Sequence, residues 1–182
     1  MAQQVQITDI SRRASLDNLS PTLAVIELPH LKVHEGFMFI SSTITSSVAD
    51  NASIDMMNKV GTIVNAHAVF NTASGGESWV HLYENPTTSA NGTAISSPNM
   101  NRCSLNIATS TVYMGPTVTT VGTNLSESFI PGGEKNQATG GQLRNTTEWV
   151  LDDNNVYLFR ATNKSGSAAD LSVEIEFYEI AC

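Results

Sequence analysis

Apolar and polar residues take turns through DLSVEIEFYEI, residues 170–180, where Leu171, Val173, Ile175 and Phe177 are interleaved with Ser172, Glu174 and Glu176. A period of two puts each set on its own side of an extended backbone, so this segment predicts a strand with one buried and one wet face. TIVNAHAVFNT, 62–72, reads the same way, with Val64, Ala66, Ala68 and Phe70 toward a core and Ile63, Asn65, His67 and Val69 away from it. Strands are also predicted over TLAVIEL (22–28), FMFISSTITSSV (37–48), WVHLYE (79–84), RCSLNIATSTVYM (102–114), EWVL (148–151) and VYLFRATN (156–163), with shorter ones on either side of Gly122.

Between these runs the chain carries turn chemistry. ASGGES joins 62–72 to 79–84 and predicts a hairpin, which would make His67, Trp79, His81 and Tyr83 neighbours on one surface face. DNASIDMMNKVG, 50–61, reads as a loop turning Met56 or Met57 inward, NPTTSANGTAISSPN (85–99) as a polar connection, and 132–145 as a glycine-rich loop. Residues 1–20 are polar and read as an N-terminal arm, and residues 21–182 as one β-sandwich domain. Eight to ten strands at this spacing, with no helix predicted, point to an all-β fold, a two-sheet antiparallel sandwich of jelly-roll type.

Composition agrees with the strand pattern. Ser, Thr and Asn supply 55 of 182 residues and charged residues only 14%; these short polar side chains compete with helix hydrogen bonds and suit turns and pleated surfaces. A net charge of −8 disfavours a nucleic-acid partner. The first residues have no signal-peptide pattern and no apolar run approaches the roughly 18 residues of a spanning helix, so the chain is expected to be made in the cytoplasm without a membrane partner. Cys103 and Cys182 are read as free thiols rather than a disulfide framework, and six Asn-x-Ser/Thr sequons as a by-product of composition.

Candidate chemistry is sparse. His30 and His34 are four apart, which on a helix would share one face and hold a metal ion. Pro29 and Gly36 leave so few residues between them that the stretch reads instead as the approach to a strand, with the imidazoles about 13 Å apart and no metal site. Asp152-Asp153 before Asn154-Asn155 has calcium-like composition but reads as an acidic turn. There is no nucleophile elbow or phosphate loop, so neither a catalytic residue nor a cofactor is assigned.

The stretch from His30 to Phe37, the segment NRCSLN (101–106) and TEWVLDDNNVYLFRATN…VEIEFYE (147–179) together resemble the capsid decoration, or cement, proteins of tailed bacteriophages. The resemblance implies a jelly-roll-like sandwich, a homotrimer, a place on the outer surface of the virion and the major capsid protein as partner. On that reading the arm lies along the shell, and Arg12 and Arg13 offer forked donors to shell carboxylates. Two other readings stand beside it. One is a trimeric tail or receptor-binding module gripping a host glycan through the His/Trp/Tyr face, and the other is a cupin-like metalloenzyme using His30, His34 and Glu35.

Overall fold

The computed structural model describes residues 27–132 and 148–181, with the paired backbone of Ser15–Leu16, Leu23–Ala24 and Gly141–Arg144. In chain order the elements are β1 (Ser15–Leu16), β2 (Leu23–Ala24), α1 (Leu28–Glu35), β3 (Met38–Val48), β4 (Ser53–Lys59), β5 (Val64–Ser74), β6 (Ser78–Glu84), β7 (Thr87–Ala90), β8 (Thr93–Ile95), β9 (Thr111–Met114), β10 (Thr117–Thr120), β11 (Thr123–Ile130), β12 (Gly141–Arg144), β13 (Trp149–Leu151), β14 (Val156–Asn163) and β15 (Ala169–Ala181). The fold is all-β, as the alternating patterns predict.

Two antiparallel sheets make the body. The first runs β12-β5-β15-β3, and β13 also pairs with β5, so β12 and β13 act as two pieces of one edge strand. The second runs β11-β6-β14-β4 and is extended by β9 and β8. Counting β12 and β13 together, the eight principal strands follow one another as β3, β4, β5, β6, β11, β12/β13, β14 and β15. One sheet takes the first, eighth, third and sixth, and the other the second, seventh, fourth and fifth. That interleaving is the jelly-roll order. Two small ribbons, β1 with β2 and β7 with β10, lie outside the two sheets.

The core lies where the inward positions of the two sheets meet. From the first come Phe39, Ala66, Ala68, Phe70, Leu171, Val173, Ile175 and Phe177, and from the second Met56, Val80, Leu82, Tyr157, Phe159 and Ala161, all under 5% exposed. Phe70 and Phe159 face each other across the sheets with ring centroids 5.1 Å apart. Each large apolar side chain removed from water contributes about 1.5–3 kcal/mol, and the conformational entropy of ordering the chain offsets most of the sum. One sequon is consumed by the fold: Asn163 is fully buried, and its amide donates to Val48 O and Ser167 O at 2.8 and 2.7 Å.

The structure departs from the sequence pattern in several places. β5 and β6 do not form a hairpin; the Gly75-Gly76 corner carries the chain from one sheet to the other, held by the buried hydroxyls of Ser74 and Ser78 at 2.6 Å. The segment read as a loop at 50–61 contains β4, with both Met56 and Met57 buried. The end of the strand expected over 22–28 belongs instead to α1. Of the strand expected over 102–114 only 111–114 is extended and paired, and the polar connection after Glu84 holds β7 and β8. The three C-terminal strands do not pair in succession: β13 and β15 lie in one sheet and β14 in the other.

Candidate binding surface

At one end of the sandwich α1 and the loop 96–110 form a unit held together by polar contacts. Pro29 stands in the first turn of α1, where its fixed φ suits a helix and its missing N–H is not needed. Gly36 ends the helix in the left-handed conformation, φ 75°, and the N–H groups of Gly36 and Phe37 return to Val33 O and Lys32 O at 3.0 and 2.9 Å. The helix buries none of its residues. Its apolar Leu31 and Val33 are only half-buried, so packing gives it limited support.

The loop supplies what packing does not. Gly36 O accepts hydrogen bonds from Asn99 Nδ2 at 2.7 Å, Asn106 Nδ2 at 2.9 Å and Ser104 Oγ at 3.3 Å, while Asn101 Nδ2 donates to His34 O at 3.0 Å. Carbonyls orphaned at the helix C-terminus thus find partners 63 to 70 residues along the chain. The loop is braced internally as well, since Asn99, Asn101 and Ser104 each accept from the N–H two residues on. Its far end is fixed by Glu179, whose carboxylate takes the N–H groups of Thr109 and Ser110 at 2.9 and 2.7 Å. Ile40 N to Pro98 O and Met100 N to Met38 O lay the loop along β3, whose edge would otherwise invite pairing with another chain.

Among polar neighbours such as Arg102, Asn106 and Thr109, this braced loop also displays large apolar side chains. Leu105 is 95% and Ile107 85% exposed, and Leu28, Phe37 and Met100 on and beside α1 are also exposed. The period-two pattern of Cys103, Leu105 and Ile107 thus belongs to an irregular loop, with Cys103 an exposed free thiol. Sequence reasoning missed the surface because its brace is non-local. A local signal was present in the Asn/Ser spacing of NMNRCSLN, the pattern of successive side-chain turns.

The residues singled out from sequence are placed on different faces. Trp79, His81 and Tyr83 lie on the outer face of the second sheet, where Trp79 pairs with Phe129 and His81 with Glu127 across β6 and β11. With Ser128 these line a shallow groove of about 420 Å3. Lys164 Nζ sits 4.8 Å from the Trp79 ring, and the His81 and Tyr83 rings stack at 5.5 Å. Next to His81, Arg160 makes a two-pronged bond to Asp55, both contacts 2.7 Å. Burial pushes His81 below the ordinary histidine value, Glu127 partly offsets this, and the Arg160 charge adds to the depression.

His67 is on the outer face of the other sheet, apart from that group. There it stacks on Tyr178 at 4.7 Å, and both touch Glu148, with Tyr178 Oη 2.9 Å from one carboxylate oxygen and His67 Nδ1 3.1 Å from the other. Burial and the Glu148 carboxylate raise the Tyr178 phenol well above its usual range. Arg12, Arg13 and Cys182 lie outside the described residues. The Asp152-Asp153 turn is bonded to its own backbone and to Asn154 and Asn155. Among the described residues no group of three or more His, Cys, Asp or Glu is placed to hold a metal ion. His30, His34 and Glu35 do not converge inside the sandwich as a cupin requires; they stand on α1, exposed, with Glu35 paired to Lys32 at 2.7 Å. No protein-family model matches the chain, and comparison with curated proteins finds no match.

Proposed function

We propose that the chain is a structural protein of a tailed bacteriophage, binding the outside of the capsid as a trimer and stabilising the shell. The observation that carries this reading is the braced loop 96–110. Ordering a loop against solvent costs conformational entropy, and here the result is to hold Leu105 and Ile107 almost wholly in water. Burying those two side chains against a partner recovers about 3–6 kcal/mol, which an isolated chain forgoes. The low charge density lets copies pack closely without desolvating ions, and many copies on one lattice gain by avidity. Jelly rolls are also a common architecture of viral shell proteins and of lectins, which is support by analogy of fold.

Co-sedimentation with empty capsids assembled from the phage's own shell protein tests the proposal. The intact chain should pellet with capsids, and Leu105→Asp with Ile107→Asp should stay in the supernatant while melting within about 0.5 kcal/mol of the parent, as surface changes do. Equal coating by the double variant would remove the loop from the interface. A second reading, a glycan-gripping module, is favoured by the exposed Trp79 and Phe129 beside His81 and Glu127. Glycan-array binding abolished by Trp79→Ala, without capsid attachment, would replace the first reading with the second.

A further inference from the structure

We infer that His30 and His34 form a two-imidazole chelate for a divalent first-row transition ion, on a surface helix that holds them ready. The inference goes beyond the proposed capsid role and stands whether or not that role is correct. It rests on a helix that the short span from Pro29 to Gly36 argues against in the sequence. With α1 formed, the two rings share one face, their centroids are 4.8 Å apart, and His30 Nε2 lies 2.9 Å from His34 Nε2. Two nitrogens bound at right angles to one ion at about 2.1 Å are about 3.0 Å apart, so the pair already has the bite of a cis chelate.

The surroundings fit an imidazole-seeking ion rather than a hard one. Both histidines are exposed, so an ion reaches them without opening the fold. Glu35 is occupied by Lys32, and among the described residues no third protein ligand completes a set of three. Remaining positions fall to water or to a donor from a neighbouring molecule. Two nitrogens with no carboxylate favour copper, nickel and zinc, with copper the tightest, and give calcium or magnesium little to bind. Binding uses both Nε2 lone pairs, so the ring that now donates its Nε2–H carries its proton on Nδ1 instead. The brace at Gly36 and Asn101 keeps the helix formed before the ion arrives, which removes an ordering cost from binding.

The test is calorimetric titration of the intact chain carrying Cys103→Ser, which removes the exposed thiol as a competing ligand. Copper, nickel or zinc chloride should saturate one site per chain, with copper tightest, and calcium chloride should give no saturable heat. His30→Ala or His34→Ala should weaken binding by about 100-fold, because the second ligand no longer acts at high effective concentration. Alanine favours helix, so that loss would not come from melting α1. Lys32→His and Glu35→Gln combined with His34→Ala keep two histidines, turn one away and leave no freed carboxylate beside it, and this variant should bind as weakly as a single histidine. Unchanged affinity in either alanine variant, or no saturation by copper below about 1 mM, a free energy of only about 4 kcal/mol, would overturn the inference.

Discussion

Replacing Gly36 with alanine tests whether α1 and the loop 96–110 are one unit that opens separately from the sandwich. At φ 75° a β-carbon costs about 1–2 kcal/mol. A β-carbon there would also fall 2.6 Å from Ser104 Cβ and overlap its hydroxyl. Ser104 must move, and its hydrogen bond to Gly36 O is worth about 0.5–1.5 kcal/mol. With residual crowding the local cost is about 2–4 kcal/mol. Because α1 buries no residue, the molecule can relieve this by releasing the helix and loop while the sheets stay paired. Hydrogen exchange followed residue by residue reads the result. The amides of Phe37, Asn101 and Asn106 should exchange about 30- to 700-fold faster, and those at the centres of β5 and β15 at their original rates. Adding Ser104→Gly removes the overlap and should restore part of the protection. If Phe37 and Asn106 keep their original rates, or if the central strands open along with them, the argument that the brace is local and strained by a side chain is refuted.

Asp55→Ala should lower the urea midpoint by an amount worth about 3 kcal/mol, since Arg160, with its side chain 24% exposed, is left with a partly buried charge; Asp55→Leu with Arg160→Met should recover most of it. His81 should make stability pH-dependent: the unfolded chain takes up this proton near pH 6.5 and the folded chain only at lower pH, so stability is lost as pH falls from about 6.5 through the depressed folded value. Denaturation at pH 7.5 and 5.5 should show that loss reduced in His81→Gln, and an identical loss in both proteins would contradict it. On the proposed capsid role, deleting residues 1–20 should leave the melting temperature unchanged but reduce capsid coating, with Arg12→Ala and Arg13→Ala each weakening attachment by about 1.5–3 kcal/mol if their contacts are buried; full coating by the truncated chain would leave the arm out of that role.

Elements that bury one face were legible from sequence. β15 alternates cleanly because its inner side chains meet the core and its outer ones meet water or polar neighbours. β4 was not legible, because Met56 faces the core while the adjacent Met57, on the other side of the sheet, is also only 2% exposed, and burial on both faces erases the period of two. The reverse error occurred at Cys103, Leu105 and Ile107, where alternation without a paired backbone imitates a strand. The supposed β5–β6 hairpin failed for a third reason. A short glycine turn fixes a change of direction, but which sheet receives the next strand depends on partners far away, here β14 and β11. α1 depends on Asn99, Asn101 and Asn106 in the same way: Pro29 and Gly36 mark its ends locally, but no window around residues 28–35 contains the brace.

β15, the longest strand, lies between β3 and β5 and pairs along almost its whole length with both. Those two strands are therefore made about 100 to 140 residues before the segment that joins them. Until residues 169–181 leave the ribosome, β3 and β5 have no bridge between them, and their inward Phe39 and Phe70 lack a completed sheet to cover them. Such late, long-range closure makes folding slow and leaves a window in which nascent chains can pair with one another instead. That window sets a limit on the yield of folded chain that the finished fold no longer reveals. Expression at lower temperature should raise the soluble fraction, and a chain ending before residue 169 should be recovered as aggregate rather than as a partly folded sandwich.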